Sequence, residues 1–223
     1  MFENNNVSNP AVTGVAPTFF GKVMFFFALA IMSSALGVYT TMNYFMSYFI
    51  EIPWLMYGLF ALELIIILTS RLWRTHSPLN RILFVAFTFI TGVTVAPLIA
   101  IVSASATGPT VLMQALLATG LMFTATALIG WTTKYDLSRL GGFLMMGLIG
   151  MIIVGIIGIF LPWGSTTEMV YSGIGVLIFC GYTMYDFQKI KRYPEDAYID
   201  AALALYLDIF NLFLFILRLM NRR

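Results

Sequence analysis

Charge is scarce in this chain. Asp, Glu, Lys and Arg make up 10% of its 223 residues, against 60% hydrophobic residues and a mean hydropathy of +0.91. A soluble domain must show water a polar surface on every side, which this composition cannot supply, so the chain reads as a polytopic membrane protein. A net charge of +2, spread thinly, excludes the concentrated basic patch of a nucleic-acid binder. No Walker or GxGxxG glycine loop occurs, which removes the usual means of binding a nucleotide. Cysteine and histidine occur once each, as Cys180 and His76. A single cysteine excludes an internal disulfide and a multi-cysteine metal site, and in its apolar run Cys180 reads as packing material. His76 sits in an Arg-rich loop and reads as an ordinary solvated residue. The 14 methionines, Met145 and Met146 among them, form no cluster with histidine at ligand spacing and read as adaptable filler.

What the chain has is apolar length. At about 20 residues per crossing, seven segments qualify: 19–45, 53–73, 82–103, 111–131, 140–161, 169–185 and 201–220. The expected fold is all-α, a seven-helix transmembrane domain over 19–223 preceded by a polar, mobile tail over 1–18. That tail lacks the basic start of a secretory signal, and its Asn6-Val7-Ser8 triplet carries no weight if it faces the cytosol. The loops RLWRTHSPLNR, TTKYDLSR and QKIKRYPED, with Lys22, hold nine of the twelve Lys and Arg residues, so that side is expected to be cytosolic. The N-terminus is then inside and the C-terminus outside, although Arg218, Arg222 and Arg223 oppose the rule. Glycines of the fifth segment (Gly141, Gly142, Gly147, Gly150, Gly155, Gly158) and the sixth (Gly173, Gly175, Gly181) suit close helix packing in lipid.

Two carboxylates break the apolar runs, Asp186 in GVLIFCGYTMYDFQ and Asp208 in AALALYLDIFNLFLFILRLM. An aspartate in the hydrocarbon layer costs about 2.5–3.5 kcal/mol on insertion scales, so it is expected to face a partner or a water path. The two stand equally far from Ala197 in the intervening loop, which predicts similar depth. Two carboxylates that meet in a low dielectric share a proton, and their titration belongs to the pair. Protonated, the pair is a clasp between helices; deprotonated, it repels itself or attracts a cation, and its hard oxygens suit Ca²⁺ bound transiently. Asn211, one turn after Asp208, can add an oxygen. Glu63 and Arg71 of the second segment are candidates for a charged network with the pair, Arg71 as counter-charge, while Arg71, Arg74 and Arg81 can equally serve as cytosolic anchors. Each aspartate can also bond a neighbouring hydroxyl independently.

The segments YDFQKIK (185–191) and ALALYLDIFNLFLFILR (202–218) resemble the Bax inhibitor family, in which a Tyr- or Trp-Asp-x-Gln segment ends the sixth helix and Leu-Asp-x-x-Asn-Leu-Phe occupies the seventh. ITGVTVAPL (90–98) resembles that family's third helix, so the likeness covers about 20–220. The resemblance implies seven helices with the last surrounded by the other six, and a pH-sensitive Ca²⁺ leak gated by Asp186 and Asp208. It also implies an arginine engaging the pair, for which Arg71 is the best positional match and Arg74 the other. No tightly bound cofactor and no enzymatic activity are expected; the partners are the lipid bilayer, Ca²⁺ and protons. The alternative is a non-transporting modulator of a membrane protease or cell-death pathway. Proton-coupled cation exchange is a further possibility. Intramembrane aspartyl proteolysis fits less well, because Leu205-Tyr206-Leu207-Asp208 puts bulk where such a protease needs Gly-x-Gly-Asp. A bacterial inner membrane suits the chain.

Overall fold

The structure, a computed structural model, describes residues 17–161 and 164–221; residues 1–16 of the expected tail with the Asn6 triplet, and Arg222 and Arg223, lie outside them, while Pro17 and Thr18, expected in the tail, begin the first helix. Among the described residues every regular element is helical. Helix α1 (Pro17–Thr40) passes through a π-helical turn, Thr41–Phe45, into α2 (Met46–Glu51). Pro53 then starts α3 (Trp54–Leu68), which breaks at Thr69 before the single turn of α4 (Ser70–Trp73). Trp73 Nε1 donates back to the Ile66 carbonyl at 3.2 Å and holds that break in shape. The long helices follow: α5 (Leu79–Ser103), α6 (Gly108–Thr132), α7 (Ser138–Phe160), α8 (Ser165–Ile190) and α9 (Tyr198–Met220).

Five of these runs are long and apolar enough to span a bilayer, namely α1 with its continuation, α5, α6, α7 and α9. Helix α3 is apolar but has 15 residues, and α8 has 26 but carries polar side chains near its end. Together they make the seven helical segments expected. The sixth runs further than the apolar stretch 169–185: Gln188 and Lys189 continue the helix, so Asp186 lies about one turn inside α8, not at its end. The α8–α9 connection is therefore centred near Pro194, and Asp208 stands nearly three turns into α9. The equal spacing about Ala197 does not describe the helix ends.

Helix α9 is the centre of the bundle, packed on α1, α5, α6 and α8; α3 leans chiefly on α5 and α7 on α8. Leu205, Tyr206, Leu212 and Leu217 of α9 are essentially fully buried. In lipid such packing rests on fit and backbone approach, since apolar burial gains little against hydrocarbon. Helices α1 and α5 approach closely, where a Cβ on Gly92 would overlap the Ser34 carbonyl and one on Gly37 the Phe89 carbonyl. Gly130 brings α6 equally close to Met184 of α8. Gly141, Gly147 and Gly155 of α7 lie under Tyr185, Ile178 and Tyr171 of α8, as small-residue packing predicts, whereas Gly142, Gly150 and Gly173 face open space.

Candidate functional site

Helices α8 and α9 bring Asp186 and Asp208 together between them, 7% and 4% exposed. The two carboxyl groups lie within electrostatic range of each other. Asp208 Oδ2 is buried without a hydrogen-bond partner, as is the hydroxyl of Tyr182, one turn before Asp186. Tyr182 lies within electrostatic range of both acids. The nearby hydroxyl of Thr183 is committed elsewhere, donating to the Phe179 carbonyl at 2.8 Å. A buried acceptor left without a donor is costly in a low dielectric. Asp186, Asp208 and Tyr182 thus lie in mutual electrostatic range, with Asp208 Oδ2 and the Tyr182 hydroxyl left unsatisfied. Tyr182 escaped the sequence reading, although its i,i+4 spacing to Asp186 was a usable signal.

The positive charge acting on Asp186 is Lys189, one turn further along α8, which lies over the rings of Tyr185 (5.5 Å) and Tyr193 (5.3 Å). Arg71 is not brought to the pair: it is exposed, and among the described residues the ion pairs are Arg74–Asp200 and Arg192–Asp136, each at 3.3 Å. The break at Thr69 shifts the phase of α4 relative to α3, so Arg74, not Arg71, reaches the start of α9. Arg81 donates to the Tyr198 hydroxyl at 3.0 Å from the same end. Gln188, two residues after Asp186, fastens the α6–α7 loop to α8: its Oε1 accepts from the Leu137 amide at 2.8 Å and its Nε2 donates to the Tyr135 carbonyl at 2.7 Å. In that loop the side-chain and backbone hydrogen bonds of Ser138 hold the Asp136 carboxyl below its ordinary range, with Arg192 assisting.

Glu63 belongs to a different network. Its Oε1 accepts from Thr94 Oγ1 at 2.7 Å, Thr94 also donates to the Thr91 carbonyl at 3.1 Å, and Thr91 Oγ1 is hydrogen-bonded to the Tyr206 hydroxyl. This chain of hydroxyls ties α3 and α5 to α9 on the side of Tyr206. Its signal was the i,i+3 series Thr88, Thr91, Thr94, the last two within ITGVTVAPL. Asn211 does not bond Asp208: its amide donates back to the Leu207 carbonyl at 2.7 Å and lines a cavity of about 200 Å³ with Tyr171 and Arg218. Among the described residues no group of three or more His, Cys, Asp or Glu side chains is placed to hold a metal.

Comparison with known proteins agrees with the architecture. The family profile described as "Inhibitor of apoptosis-promoting Bax1" matches residues 16–223. The chain is 37% identical over 174 residues to a BI1-like protein of Arabidopsis thaliana, covering 76% of this chain and 66% of that one. It is 28% identical over 220 residues to protein Cj0236c of Campylobacter jejuni, covering 99% and 92%. It is 32% identical over 173 residues to inner membrane protein YbhL of Escherichia coli, covering 73% and 71%. The chain thus spans about two thirds of the plant relative's length and nearly all of the Campylobacter protein.

Proposed function

Because the chain belongs to the Bax inhibitor family of integral, multi-pass membrane proteins, we propose that it is a passive, pH-sensitive Ca²⁺ pathway gated by Asp186 and Asp208. The observation that carries this reading is the unpartnered Asp208 Oδ2, buried beside a second carboxylate between α8 and the central helix α9. A proton on the pair supplies the missing donor and clasps α8 to α9. Once it leaves, two like charges in a low dielectric push apart or draw in a cation, and the same oxygens compete for H⁺ and Ca²⁺. Lys189 sets the charge balance on the Asp186 side, and Arg74 steadies α9 through Asp200. Asn211 and Glu63 play supporting polar parts at other depths; Arg71 acts as an anchor at the basic end.

Orientation follows the basic loops. Lys22, Arg74, Arg81, Lys134 and Lys189 cluster at the end where α1 and α9 begin, which we assign to the cytosol, with the inner membrane of a bacterium as the setting the YbhL likeness favours. Purified protein in liposomes loaded with a Ca²⁺ indicator tests the reading. Flux that requires the protein and varies with pH supports the pathway. Absence of flux at every pH, with the protein folded, rejects it in favour of a modulator that acts by contact with a membrane protease or cell-death factor.

A further inference from the structure

On the face of α9 turned away from the acids lies a cavity of about 370 Å³, bounded by α1, α5, α6 and α9. Phe20 with Trp131 (5.0 Å) and Phe27 with Phe123 (5.4 Å) close α1 against α6 toward the basic end. Beyond these ring pairs the two helices stand apart. Ile31 and Ala35 on one side, Leu116 and Gly120 on the other, leave a lateral mouth, and all four are exposed on the bundle's outer surface. The back wall is α9 itself, at Ile209 and Phe210. At about 100° per residue, Asp208 points to the opposite side of that helix.

The cavity offers water nothing to bond. Its few polar groups are already committed: Thr119 Oγ1 donates to the Ala115 carbonyl at 2.7 Å, and the Tyr206 hydroxyl is hydrogen-bonded to Thr91 and Ser34. A void of that kind stays dry, and an unfilled one forfeits dispersion contacts along its walls. Its mouth is continuous with the apolar surface the bundle presents to the bilayer, so the medium at the opening is hydrocarbon. Its volume lies in the range of about 300–1,000 Å³ typical of ligand sites. We infer that this cavity is a lipid site, occupied by one acyl chain of a membrane phospholipid that enters between α1 and α6 and lies against α9. The site stands independently of the proposed Ca²⁺ pathway.

Gly120 allows the test, because a Cβ there meets nothing within 4 Å and a larger side chain can fill the space from within. The full chain is placed in phosphatidylcholine nanodiscs containing phosphatidylcholine with a diazirine midway along one acyl chain, then irradiated, and the labelled peptides are identified. Labelling of α9 at Ile209 or Phe210 is expected, although α9 is the central helix. Gly120→Leu and, separately, Ala35→Leu should abolish the α9 label while leaving that of outward-facing Leu177 on α8 unchanged. An unlabelled α9 in the parent protein, or α9 labelling that persists in the folded plugged variants, overturns the site. The parental labelling decides even if a variant misfolds.

Discussion

Tyr182 and Asp208 share a condition unusual for native side chains: each holds a buried oxygen that no donor or acceptor reaches. For Tyr182 the cost can be read in stability. Removing an orphan buried hydroxyl spares about 1 kcal/mol or more of desolvation, so Tyr182→Phe should unfold at a higher temperature than the parent in detergent. A lower unfolding temperature would mean that the hydroxyl has a partner in solution. The acids themselves were legible in the sequence because a charge inside an apolar run stands out whatever the fold. Their company was not. Choosing between Arg71 and Arg74 required the helical phase of the second segment, which is lost at Thr69, and Lys189 lay beyond the apolar stretch that seemed to end at Tyr185.

Among the elements, the α1–α5 contact is the tightest test of packing. Gly92→Ala inserts a methyl group into the Ser34 carbonyl, a backbone atom that cannot turn aside; overpacking of this kind costs about 1–3 kcal/mol. Gly58→Ala on α3 meets nothing and should leave the unfolding midpoint unchanged or slightly raised. Equal effects of the two would deny the close approach. Gly37, Gly92 and Gly130 went unnoticed in the sequence because none belongs to a run of closely spaced glycines, and a sequence does not say which helices face one another. The α6–α7 loop supplies a different kind of check. The Asp136 carboxyl is held low by its bonds from Ser138, so its contribution is present above the ordinary carboxylate range and is lost only as pH falls through the lowered folded value. The protection factor of the Ser138 amide, its exchange rate corrected for the intrinsic base-catalysed rate at each pH, should therefore hold through neutral pH and fall only in acid. A fall near neutrality would tie this loop, rather than the aspartate pair, to pH sensing.

For the whole molecule, segment number and class were readable from apolar length alone, and the central place of α9 was compatible with its all-round apolarity without being required by it, since lipid accepts the same surface. The far side of α9 was illegible: a chain of hydroxyls from Glu63 to Tyr206, and a dry cavity beside it, arise only once five helices are assembled. The functional claim also belongs to this scale, because flux needs the whole bundle. Asparagine has the shape of a protonated, uncharged aspartic acid. Ca²⁺ flux through liposomes containing Asp208→Asn, measured across a pH series beside the parent, should therefore be flat and sit at the level the parent reaches at the acid end. A variant that keeps the parental pH profile would show that the proton sensed by this protein is held elsewhere.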